Sequence, residues 1–141
     1  MLMTAKNTPR VYPGCGQLYA FDILGMLVYN MNDPEKHSQL TNSIYKALNA
    51  EFAITKFCEF GTSTLTVEFG KDDNIANTDI DQKFRDIVAS CIFTQFSYEL
   101  AKIPGLGTMG CGEVKDLIAR SIIILNMSSG SNCMFHIEFR L

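Results

Sequence analysis

The chain is 141 residues long, enough to bury a core without disulfide staples, and its length predicts one domain over residues 1–141. It is 47% hydrophobic but only 19% charged, below the share of about 25% usual for soluble domains, so a partner is expected to cover part of its surface. A net charge of −3 with scattered Lys and Arg supplies no basic stripe for phosphate backbones, which excludes a nucleic-acid ligand.

Residues 1–16 read as an irregular N-terminal arm, because Pro13, Gly14 and Gly16 punctuate local structure. The run from Gln17 to Met31 then holds apolar residues on every side, broken mainly by Asp22 and Asn30. As a helix it has almost no face for water, yet it falls short of the roughly 18 to 20 apolar residues that cross a bilayer. No membrane span is therefore expected, and protein must bury it. Asp33 followed by Pro34 supplies a capping carboxylate and a preset first helical residue, so a second helix should run to about Asn49. Leu40, Ile44, Ala47 and Leu48 form its apolar stripe.

A hairpin is expected next. Phe52, Ile54, Cys58 and Phe60 share one parity, Gly61-Thr62-Ser63 makes the turn, and Leu65, Val67 and Phe69 alternate with polar residues. After the polar loop Gly70 to Thr78, Asp79 is a candidate cap for the longest helical pattern. That pattern runs from Ile80 to Ile103 and stops at Pro104-Gly105. Phe93 and Tyr98 fall off its main stripe and give it a second, aromatic face, the kind of composition found at interface centres.

A glycine-rich loop, Pro104 to Gly112, precedes a short helix from Glu113 to about Arg120. Ser121 to Met127 is apolar on both faces, as in a strand covered on both sides. After a turn at residues 128–131, Cys133, Phe135, Ile137, Phe139 and Leu141 alternate with Met134, His136, Glu138 and Arg140 in a strand ending the chain. With nothing following to cover it, this strand is expected at a sheet edge, and Met134 and His136 are expected to contact a partner. The predicted fold is α+β, with element order ααββα(α)ββ. It has an antiparallel sheet of about four strands in two hairpins, two N-terminal helices and a long central helix. The element order and the ending Gly130-Ser131-Asn132-Cys133-Met134-Phe135 are similar to vesicle-tethering subunits and the related vinyl-reductase ligand-binding domains. The likeness involves about a dozen residues, and the upstream cysteine of that pattern is missing.

Motifs for chemistry are weak. Gly105-Leu106-Gly107-Thr108-Met109-Gly110 matches GxGxxG ahead of a helix, so Gly105, Gly107, Gly110, Cys111 and Gly112 form a candidate anion loop. A dinucleotide fingerprint needs a strand before its first glycine, whereas here a helix ends; a phosphate loop needs Gly-Lys-Ser/Thr, and Glu113 follows Gly112. The preferred reading is a flexible connector. Cys111, near a helix start, is a candidate reactive thiol. Cys133 and His136 would lie on opposite strand faces and cannot chelate together. His37 reads as solvated, and Asp22 as a carboxylate needing a partner if buried. Asn126-Met127-Ser128 reads as a turn flank. Five cysteines without CxxC spacing predict a reducing, cytoplasmic setting. No metal, cofactor or catalytic residue is nominated. The expected function is a non-catalytic protein-interaction or assembly module, a homo-oligomer or a subunit of a larger complex. The alternative is a small-ligand or anion-binding domain built on loop 104–112, possibly with reactive Cys111.

Overall fold

The computed structural model describes residues 15–71 and 75–140, with the side chains of residues 15–18 left out of the description. The expected irregular arm lies outside the described residues except for Cys15 and Gly16, which belong to a helix. The elements are α1 (Cys15–Met31), α2 (Pro34–Phe52), β1 (Ile54–Phe60), β2 (Thr64–Gly70), α3 (Asn77–Gln95), α4 (Ser97–Ala101), a 3₁₀ turn (Leu106–Thr108), α5 (Cys111–Ser121), β3 (Ile123–Asn126) and β4 (Asn132–Glu138). They form an α+β fold on a four-stranded antiparallel sheet in the order β1-β2-β4-β3.

The cap of α2 is as expected: the Asp33 carboxylate accepts from the Glu35 amide at 3.0 Å, and Pro34 follows. The helix outruns Asn49 because it stops only where Ala53 turns left-handed, at φ 50°. Phe52 is thereby a helical residue, stacked on Phe69 with ring centroids 4.5 Å apart. In β1 a bulge between Ile54 and Lys56 reverses the parity read from sequence. Phe57 now faces the core opposite Val67, while Cys58 and Phe60 turn outward opposite Thr66 and Thr64.

The central helix is two helices. It starts at Asn77 with Ala76 at its cap, which puts Asp79 in the first turn instead of at the cap, and it breaks at Phe96, well before Pro104. Phe84 of α3 stacks on Phe135 of β4 with centroids 4.0 Å apart, and Phe135 stacks on Phe69 at 6.0 Å. This aromatic column joins α3 to the middle of the sheet, with Leu65, Val67, Val88, Ile118 and Ile137 buried around it. α3 packs against both α2 and α5, and α1 packs against α5 and α2. A polar lock holds α1 in place: buried Asn30 donates to the Met26 carbonyl at 2.8 Å and accepts from Lys36 of α2 at 3.1 Å. The Lys36 ammonium also lies 3.6 Å from Glu99 of α4.

Two expectations about the C-terminal hairpin are overturned. β4 is not an edge strand, because β2 and β3 pair with it on either side. The edges fall on β1 and β3, and the sequence placed β3 between two covers; its Ile123 and Leu125 are exposed on the open face of the sheet. β3 is nonetheless guarded. The ladder directs Met127 N–H to the Met134 carbonyl, so the alternate carbonyl of Ile124 points away from β4. Arg85 of α3 donates to that carbonyl at 2.9 Å while pairing with Asp81 at 2.7 Å, and Asn126 donates to Asp81 at 3.3 Å. Asn126 also accepts from Ser128, as the turn-flank reading expects.

Candidate functional site

Two regions of the fold present surface that the core does not use. The first is the outer side of α1. Its inner stripe, Tyr19, Ile23, Leu27 and Met31, is buried, and Phe21, Gly25 and Tyr29 recur four apart on the other side. Phe21 is 72% and Tyr29 80% exposed, and a Cβ on Gly25 would meet nothing within 4 Å. Asp22 borders this stripe on the exposed side and is not buried, so its expected desolvation cost does not arise. The sequence marked the whole helix as two-sided without assigning the outer face; the Phe21-Gly25-Tyr29 spacing carried that information.

The second region is a cavity of about 260 Å³ between the end of α3, α4, the 104–110 loop and the first turn of α5. The loop expected to be a flexible connector packs as one wall of this cavity. Ile103 and Leu106 are buried, and the 3₁₀ turn follows Gly105 at φ 92°. Gly105 lies so close to the Tyr19 hydroxyl that a Cβ there would collide with it. The proposed anion loop does not converge as a unit. Gly107 and Cys111 line the cavity, Gly105 faces Tyr19, and Gly112 borders open space. The Glu113 carboxylate already takes the Gly110 amide at 3.4 Å, a capping arrangement at the start of α5 that uses one of the amides an anion would need. α5 begins at Cys111, earlier than the expected Glu113, which places the exposed thiol in the helix's first turn at the cavity.

Phe93 and Tyr98 do not share one helix face. Phe93, on α3, is half-buried and lines the cavity, with the Lys115 ammonium 5.5 Å from its ring centroid. Tyr98, on α4, is 71% exposed beneath the Lys102 ammonium. Met134 and His136 do share the outward face of β4, half-buried, with Cys133 buried on the opposite face. His136 sits 2.7 Å from Glu138, which also pairs with Arg140 at 3.0 Å. The hydrogen bond from His136, more than the Arg140 charge, holds the Glu138 carboxyl below its ordinary range. His37 is not solvated as expected: its side chain is largely covered and lies 3.6 Å from Glu59, on the core-facing side of β1. Burial pushes the Cys91 thiol up despite a contact to the Ser43 carbonyl, which suits a structural thiol.

Among the described residues no cluster of His, Cys, Asp or Glu could hold a metal, and no helix is long and apolar enough to cross a membrane. No protein-family model, no curated protein and no solved structure matches the chain, so the likeness seen at residues 130–135 rests on those residues and the element order alone.

Proposed function

We propose that this chain is a non-catalytic assembly module that joins another protein chain, a second copy or a different subunit, through the outer stripe of α1. One observation carries the reading: two aromatic side chains stand almost fully in water on a helix whose other side is fully packed, with only a glycine between them. Exposed aromatics flanking a small residue supply large contact area and close backbone approach, and aromatic side chains are enriched at interfaces. The exposed Tyr98 and the outward Met134 and His136 are further candidates for the same contact. The unpaired thiols Cys58, Cys91, Cys111 and Cys133 support a reducing setting such as the cytoplasm.

Sedimentation velocity on the intact chain tests the proposal. Association through α1 should bury more than about 1,000 Å² in total. Phe21→Glu with Tyr29→Glu should return the chain to a folded monomer, with stability changed by no more than about 0.5 kcal/mol per site. A parent chain that is monomeric at every micromolar concentration would sink self-association. If neither self-association nor any Phe21- and Tyr29-dependent complex with another protein is found, the assembly reading fails.

A further inference from the structure

The cavity beside Cys111 lies apart from α1's outer stripe, and its chemistry is one-sided. Phe93, Leu100, Leu106, Met109 and Val114 make most of its wall, Ser97 and Cys111 are its polar side chains, and no charged side chain lines it. A charge placed deep inside would therefore lose hydration with no countercharge on the wall, which favours an occupant with an uncharged body. Size narrows the choice. An apolar cavity of about 150 Å³ takes benzene, so the 260 Å³ here suits a body larger than one ring, of about two fused rings.

A positive charge stands beside one wall of the cavity. Lys115 lies one turn along α5 from Cys111 and holds its ammonium 5.5 Å from the ring of Phe93, a wall of the cavity. Among the described residues no carboxylate forms an ion pair with Lys115. The nearby Glu113 keeps its charge but turns back to the Gly110 amide at 3.4 Å instead of pairing with Lys115. An apolar chamber with an unneutralised cation next to its wall complements a molecule with an apolar body and one anionic head.

We propose that this cavity binds a compact apolar carboxylate, its ring system among Phe93, Leu106 and Val114 and its carboxylate toward Lys115. Cys111 is the reporter, because its thiol is exposed and lines the same space. The test uses the full chain with 2-naphthoate as probe and 2-naphthalenemethanol as its neutral counterpart, reading iodoacetamide alkylation of each cysteine by peptide mapping. 2-Naphthoate should slow alkylation of Cys111 in a saturable way and leave the outward-facing Cys58 unaffected. Lys115→Met should weaken 2-naphthoate by about threefold, the scale of an exposed ion pair, and leave the alcohol unchanged. Ala101→Phe, on the exposed side of α4, should fill the chamber and abolish protection by both. Should Ala101→Phe misfold, Lys115→Met still decides the question. No protection of Cys111 at millimolar 2-naphthoate overturns the site. Equal binding of acid and alcohol, or no effect of Lys115→Met, overturns the assignment of a carboxylate.

Discussion

α1 and β3 look alike in sequence, both apolar on two sides, and the fold leaves one side of each uncovered. It treats the two openings differently. On β3, Ile123 and Leu125 face water, but at the backbone edge Arg85 occupies the outward Ile124 carbonyl while the Asn126 side chain donates to Asp81. On α1, Phe21 and Tyr29 stand out with nothing over them that the core supplies. The physical difference is where backbone polar groups go. A helix satisfies its own N–H and C=O groups, so an uncovered helical face offers side chains only. A strand edge offers unpaired N–H and C=O groups that any other strand can use, so it has to be blocked. Side-chain exposure at an unguarded helix therefore suggests a wanted contact, and guarded exposure at an edge suggests an unwanted one.

The most disruptive way to examine this contrast is within α1 itself. Ile23 is fully buried two residues from Phe21. Ile23→Asp should cost more than about 4 kcal/mol by burying an unpaired charge and should unfold the domain, whereas Phe21→Glu should leave it folded. Thermal melts of the two variants decide it; similar losses from both would show that the outer stripe belongs to the core. Val88, equally buried on α3, should respond to Asp as Ile23 does.

Arg85→Leu examines the guard on β3. It leaves the Ile124 carbonyl without its donor and Asp81 without its ion pair, at a cost of about 1–3 kcal/mol. It should also open the edge, so that sedimentation shows association that rises with concentration and that Phe21→Glu does not reverse. A variant with parental melting and parental sedimentation would mean that Arg85 guards nothing.

The smallest expected effect concerns the open face of the sheet. Glu138 has its carboxyl lowered by His136 first and by Arg140 second. Folding therefore favours its ionised form, so its contribution is present above the ordinary carboxylate range and is lost as pH falls through the lowered value. Acid titrations of stability should show the parent chain slightly more stable than Glu138→Gln near neutrality and the difference shrinking as pH falls, so that the variant has the shallower acid limb. A difference that instead grows as pH falls would contradict the assignment.

Much of the architecture was legible from local patterns. The Asp33-Pro34 start, the three-and-four spacing through Phe84, Val88 and Ile92, and the strict alternation in β2 and β4 each report a period that the backbone imposes by itself. The misreadings share a cause. The bulge in β1 shifts parity by one residue and sends Cys58 and Phe60 outward, and nothing in the local alternation announces an inserted residue. The break at Phe96 separates Phe93 from Tyr98, although the apolar spacing continues across it into Leu100 and Ile103. The glycine pattern at 105–110 suggested either a phosphate cradle or slack chain. Its real constraint, the approach of Tyr19 to Gly105, comes from a helix far away in sequence.

The sequence by itself determined the α+β class, the order of the elements and the apolar faces of α2, α3, β2 and β4, because these follow from side-chain periodicity over a few turns. Only the tertiary structure decided that β4 inserts between β2 and β3, that β3 is an edge locked by Arg85, that Cys111 opens onto a cavity and that Phe21 and Tyr29 remain uncovered. Each of those depends on contacts between residues distant along the chain, and an apolar residue carries no local mark of which neighbour, or whether any, will cover it.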